Sequence, residues 1–214
     1  MLKVRKINEI ELNKLIFEYN EGIIHIEYEG NTLIFETPDL YFNDPIKTNR
    51  TGYSTHELII TMNGKSNKIT NECITFFNDL DNKIIEECKN NITNWLIKND
   101  QLLYKSVLKQ VEDPAECYCN GVIKIKFIND KNFKTMVFDN DNKIINTKDY
   151  IKSMTGNGYV KLILELISLT ITNNIIHVNL KLHQVKLNNY NILNNGNNTN
   201  DNDEDSDIEY ILSD

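Results

Sequence analysis

The chain has 214 residues, 31 acidic and 23 basic side chains and a 40% apolar fraction, enough for one ordinary domain with a real core and too little for two large ones. No apolar run approaches the roughly 20 residues of a membrane-spanning helix, and Met1 to Glu9 lacks the apolar stretch of a signal peptide, so an intracellular protein with no membrane partner is expected. The formal net charge is −8, but Asn195 to Asp214 holds seven carboxylates and no Lys or Arg, which leaves the body nearly neutral.

Gly22 to Tyr28 and Thr32 to Glu36 are β-branched and aromatic runs separated by Glu29-Gly30-Asn31, the pattern of a hairpin. Pro38 has no N–H to extend a ladder, and Asp39 to Asn49 reads as a loop carrying Tyr41 and Phe42. Glu57 to Met62 is a further strand, closed by Asn63-Gly64. From Glu72 to Lys98 the period lengthens. Phe77, Leu80, Ile84, Cys88, Ile92 and Trp95 recur every three or four residues, which predicts one long amphipathic helix with Asn71 as N-cap. A second, short helix is expected from Leu102 to Val111, before Pro114.

Strands resume at Val122 to Ile128 and Lys134 to Phe138, with a turn at Asp141-Asn142. Tyr159 to Thr172 and Ile175 to Leu187 are longer runs joined at Asn173-Asn174. Alternation of Val160, Leu162, Leu164 and Leu166 favours strand over buried helix in the first. After Tyr190 all periodicity is lost, so a domain over residues 1–190 is expected to carry a disordered Asn-rich linker and acidic tail over 191–214. About seven strands with one long helix inserted among them make a β-rich α+β chain, and an OB-like antiparallel barrel suits this order.

Catalytic and metal signatures are sparse. Cys117-Tyr118-Cys119 has one intervening residue and no second pair nearby, so it and Cys73 and Cys88 are expected as reduced thiols. His25, His56, His177 and His183 are scattered singly, Gly156-Asn157-Gly158 lacks the third Gly of a dinucleotide fingerprint, and neither a P-loop nor a Gly-x-Ser-x-Gly elbow occurs. Neither a metal nor a cofactor is expected. Pro38-Asp39 with Asp141-Asn142-Lys143 mimics the carboxylates and lysine of a two-metal nuclease, but chance serves as well in a chain so rich in Asn, Asp and Lys.

Binding features are stronger. A non-specific single-strand binder needs cations along a groove and rings for stacking, each stack being worth about 1–3 kcal/mol. Ile123, Ile125 and Phe127 share one strand face, which leaves Lys124 and Lys126 on the other. In the last strand Lys181 and His183 oppose Ile176, Val178, Leu180 and Leu182, with Lys186 close behind, and Tyr159 and Lys161 oppose Val160 and Leu162. Lys134 and the rings of Tyr41, Phe42, Tyr53, Phe133 and Tyr159 complete the candidate interface. Each lysine alone reads better as an ordinary solvated side chain, and it is their collective placement that is informative. With two Arg in the chain, bidentate base readout is not expected.

The tail is the sharpest local feature. Asp203, Glu204, Asp205, Asp207 and Glu209 precede Tyr210, Ile211 and Leu212, an anionic segment closed by an apolar cluster. Such a segment is either a solubiliser or a rival of nucleic acid for a cationic groove, its apolar end an anchor for a partner protein.

Tyr28-Glu29-Gly30, Glu36-Thr37-Pro38-Asp39-Leu40-Tyr41, the strand to Met62, Leu80-Asp81, Asn94-Trp95, Tyr104, Ile123 to Phe127 and His183-Gln184-Val185-Lys186-Leu187 stand in an order that resembles the single-stranded-DNA-binding proteins of large nucleocytoplasmic DNA viruses. The resemblance spans most of residues 22–190. It implies an OB-type fold, a non-enzymatic role in viral DNA replication, recombination or repair, single-stranded DNA and viral replication proteins as partners, and a place in the host cytoplasm or viral factory. Leu169 to Ile176 lacks the Trp and Gly expected there, so no ring contact is carried over to that run. A virion or host-directed interaction protein on the same scaffold is the alternative.

Overall fold

The computed structural model describes residues 3–43, 46–48, 56–63, 68–95, 103–109, 119–145 and 157–188. In chain order the elements are β1 (Val4–Lys6), two 3-10 turns (Ile7–Glu9 and Leu12–Lys14), β2 (Leu15–Asn20), β3 (Ile23–Tyr28), β4 (Leu33–Glu36), β5 (Leu40–Asn43), β6 (Ile46–Thr48) and β7 (His56–Asn63). Then follow α1 (Lys68–Asn91), β8 (Leu103–Lys105), β9 (Cys119–Lys126), β10 (Met136–Phe138), β11 (Ile144–Ile145), β12 (Asn157–Thr172) and β13 (Ile175–Asn188).

The spine is the β12–β13 hairpin. Its two-residue turn places Asn173 and Asn174 at φ 52° and 62°, the left-handed pair that matches the twist of antiparallel strands and that Asn tolerates well. On its other edge β12 pairs in turn with β5 (Asn157–Val160), β4 (Ile163–Leu166) and β3 (Ser168–Thr170). A strand this long cannot stay flat, and two extra residues bend it further. Ile167 has no partner between Leu166↔Leu180 and Ser168↔Asn179, and His183 has none between Ile163↔Gln184 and Leu164↔Leu182.

The result is a curled half-barrel sheet with one helix, as the β-rich α+β reading anticipates. The main ladders are antiparallel. Three short parallel pairings, β1 with β4, β10 with β13 and β8 with β13, extend the sheet at its margins.

Residues Thr70, Cys73, Phe77, Leu80, Ile84 and Cys88 put the buried stripe of α1 at helical spacing. The rings of Phe76 and Phe77 meet Phe35 of β4 at centroid distances of 5.3 and 6.3 Å. A three-stranded sheet, β6–β7–β9, supplies Leu58, Ile60, Met62, Ile123 and Ile125 to the same core. Burial pushes the Cys73 and Cys88 thiols up to about 12, so both are protonated apolar fillers at neutral pH.

Several expectations need correction. The Glu29-Gly30 turn exists, with both residues at positive φ and Tyr28 and Asn31 exchanging backbone hydrogen bonds, but β4 then leaves β3. β3 pairs instead with β2, which the sequence reading missed along with β1. β4 is buried on both faces and needs a neighbour on each edge, which β1 and β12 provide. The supposed loop from Asp39 holds β5 and β6. The helix begins at Lys68, not beyond Asn71, and gives way to turns after Asn91. The expected helix from Leu102 is instead β8 followed by bends.

Tyr41 and Phe42 are strand neighbours, so only one of them can face outward. Phe42 is the inward one, fully buried, and its ring lies so close to β12 that a Cβ at Gly158 would sit 2.9 Å from Cζ. Gly158→Ala is therefore expected to destabilise the fold by about 1–3 kcal/mol through overpacking. Urea denaturation checks this, and an unchanged midpoint would show that the ring has room to move.

Candidate nucleic-acid interface

Strand alternation, corrected for the two extra residues, puts one continuous face on the β12–β13 ribbon. From the turn outward it carries Ile175, His177, Asn179, Lys181, Gln184, Lys186 and Asn188 on β13. The matching β12 residues are Thr172, Thr170, Ser168, Glu165, Ile163, Lys161 and Tyr159, of which the Ile163–Gln184 pair is buried. Charge and aromatic character gather at three places along it.

At the turn end the face opens into a groove of about 490 Å³. Lys105 of β8 stands in register with His177, Lys124 and Lys126 project from β9, and Lys109 closes the wall. Thr170, Thr172, His177 and Asn179 form the floor, where Asn179 donates from Nδ2 to Ser168 Oγ at 2.9 Å. Among the described residues none of the four lysines has an ion-pair partner, and Glu57 is the one carboxylate lining the groove. Burial, then the neighbouring Lys105 and Lys124, hold the Lys109 ammonium below its ordinary pKa. Among the described residues four lysines thus line the groove against one carboxylate, Glu57, an excess of positive charge that favours a polyanion.

Midway along the ribbon, Phe133 is clamped. Lys181 Nζ lies 3.7 Å from the ring centroid, the His183 ring is 5.0 Å away edge-on, and Asp130 Oδ1 accepts the Phe133 N–H at 2.7 Å. Glu165 Oε2 sits 2.6 Å from His183 Nε2 and 3.5 Å from Lys181 Nζ. This cluster is neutralised from within, and one face of Phe133 is already occupied. Lys134 beside it is exposed.

At the far end Tyr41 and Tyr159 form a cross-strand pair, ring centroids 5.6 Å apart in an edge-on arrangement. Tyr159 is 42% exposed. Next to it Lys161 lies directly opposite Lys186, and its ammonium is 3.8 Å from Glu36, whose carboxyl burial holds above the usual range.

Of the residues expected from sequence, Lys124 and Lys126 meet in the groove. Phe133, Lys181 and His183 meet at the ribbon's middle, and Tyr41, Tyr159, Lys161 and Lys186 at its far end. Phe42 is corrected to a core residue. Tyr53 and the tail residues Asp203, Glu204, Asp205, Asp207, Glu209, Tyr210, Ile211 and Leu212 lie outside the described residues. Of the carboxylates in the nuclease pattern, Asp39 accepts a hydrogen bond from Asn188, while Asp141 lies in the β10–β11 turn, where its backbone N–H donates to Asp139.

Sequence reasoning missed Lys105, Lys109, His177 and Asn179. His177 and Asn179 were within reach, because they alternate with Ile176, Val178 and Leu180 just as Lys181 does. Lys105 and Lys109 were masked by their four-residue spacing, which mimics the outer face of a helix.

No family model matches the sequence, and no curated protein does. Among solved structures, the chain is similar to a C-terminally truncated single-stranded DNA-binding protein from bacteriophage Enc34, with 14% identity and a TM-score of 0.47 over 83% of this chain and 96% of that one. It is similar to the same phage protein in complex with single-stranded DNA, with 15% identity and a TM-score of 0.45 over 82% and 95% of the two chains. It is also similar to gp2.5, a single-stranded DNA-binding protein encoded by bacteriophage T7, with 15% identity and a TM-score of 0.48 over 85% of this chain and all of that one.

Proposed function

We propose that this chain is a non-enzymatic, sequence-tolerant single-stranded-DNA-binding protein that serves the replication, recombination or repair of a large DNA virus genome. The observation that carries the reading is the groove at the turn end of the β12–β13 ribbon, lined by four lysines that have no ion-pair partner among the described residues. Phosphates would occupy that groove, with Lys181 beyond it on the same ribbon face; Lys161 and Lys186 lie past the buried Ile163–Gln184 pair. Tyr41 and Tyr159 offer ring surface at the far end to bases that a duplex would keep stacked. The scarcity of Arg favours binding that tolerates any sequence. Residues 191–214 act in this reading as a tethered anionic competitor, with Tyr210, Ile211 and Leu212 recruiting replication proteins.

Each phosphate neutralised on a single strand contributes about −0.7 to the slope of log affinity against log salt, so four lysine contacts give about −3. Fluorescence anisotropy with labelled oligo-dT is expected to show such a slope, and Lys109→Ala with Lys124→Ala to weaken binding at least tenfold and flatten it by about 1.4. Absence of binding at low salt, with or without the tail, would overturn the proposal.

The depressed Lys109 gives a second test. Phosphate binds the protonated ammonium, so as pH climbs toward the ordinary 10.5 this contact is lost earlier than for an unperturbed lysine. Lys109→Arg keeps its charge throughout. Wild-type affinity is expected to fall on the alkaline side while the Arg variant holds, and superimposable profiles would remove Lys109 from the contact.

Deleting residues 191–214 is expected to tighten oligo-dT binding at low salt, with the gain shrinking as salt screens both anions. Equal affinities for the two chains at low salt would end the competition model.

A further inference from the structure

Two of the four groove lysines, Lys105 and Lys109, stand on a segment with little regular structure to hold it. At one end Leu103 donates its N–H to Asn174 O at 2.8 Å, and β8 runs three residues beside β13. At the other end Lys109 exchanges both backbone hydrogen bonds with Val122, at 2.8 and 2.9 Å. Between these anchors the chain turns away from every ladder, and one side chain gathers it. The Asp81 carboxylate of α1 accepts the Tyr104 O–H at 2.5 Å, the Val107 N–H at 3.1 Å and the Leu108 backbone N–H.

The arrangement is built for close approach. Asp81 is 6% exposed on the apolar side of the helix, next to Leu80 and Ile84. Leu108 is buried against β9 at Gly121, where a Cβ would fall 2.7 Å from Leu108 Cδ1. Burial and the facing carboxylate both push the Tyr104 phenol up, so it stays a donor. The charge of Asp81 does not serve the groove directly: the carboxylate that acts on Lys109 is Glu57, and no ion pair joins Asp81 to a lysine among the described residues.

We infer that Asp81 is a positioning residue for the nucleic-acid groove: through Tyr104, Val107 and Leu108 it fixes the course of residues 103–109, so that Lys105 comes into register with His177 and Lys109 faces Lys124. The inference rests on the reading of that groove as a phosphate site. It makes α1, which lines none of the groove, a determinant of its affinity.

The test is a double-mutant cycle on the full chain, read by anisotropy with labelled oligo-dT and by circular dichroism for the folded state. Lys105→Ala with Lys109→Ala is expected to weaken binding and flatten the salt slope by about 1.4. Asp81→Ala is expected to do nearly the same in the wild-type background and to add little when combined with the two lysine changes, because both routes remove one set of contacts. Asp81→Asn keeps an acceptor oxygen and is expected to restore part of the affinity.

Where Asp81→Ala does not fold, Tyr104→Phe, which deletes one hydroxyl, carries the same cycle with a smaller loss. An unaltered affinity for the lysine variant removes the groove itself as the binding site, and the inference with it. A weakened lysine variant alongside a folded Asp81 or Tyr104 variant that binds normally, or whose loss adds in full to that of the lysines, overturns the positioning role and leaves the groove standing.

Discussion

The structure depends on β12 being hydrogen-bonded along both edges. On one side it has a single antiparallel partner for nearly its whole length, and on the other it has β5, β4 and β3 in succession. β3, β4, β5, β8 and β10 are placed by pairing with this strand or with β13, while β9 brings Lys124 and Lys126 from the separate β6–β7–β9 sheet. The helix meets this sheet through the Phe76 and Phe77 rings, which pack against each other and against Phe35 of β4.

Much of this was legible in the residues. The alternation of Val160, Leu162, Leu164 and Leu166, the Asn173-Asn174 turn and the helical stripe Phe77, Leu80, Ile84 and Cys88 all stand in the structure where periodicity placed them. Lys124 and Lys126 were correctly set opposite Ile123 and Ile125. What failed was non-local. Nothing near Leu33 says that both its strand edges are occupied, so β4 was given the partner adjacent in sequence. Leu103 to Lys109 has spacing that fits a helix, and only distant partners, β13, Val122 and Asp81, explain why it is not one. Tyr41 and Phe42 carry equal stacking potential on paper, and strand parity alone decides that Phe42 enters the core.

Charge along the ribbon is managed in two ways. At the middle, Glu165 balances Lys181 and His183, and at the far end Glu36 approaches Lys161. Among the described residues of the groove four lysines face the single carboxylate of Glu57, and Lys109 is held below its ordinary pKa by burial and then by Lys105 and Lys124. Ion pairs of the first kind orient side chains with small net energy. A concentration of the second kind leaves a field that acts outward, beyond the protein surface.

The extra residue at His183 has a consequence for how such a face can vary. Omitting it on paper leaves Lys181, Gln184 and Lys186 alternating without interruption with Leu182, Val185 and Leu187, so inside and outside would keep their identities. What would change is curvature. Chemistry and shape are thus encoded separately in β13, and a one-residue indel at this position is the natural means by which related chains could re-aim an unaltered set of side chains toward a differently bent ligand.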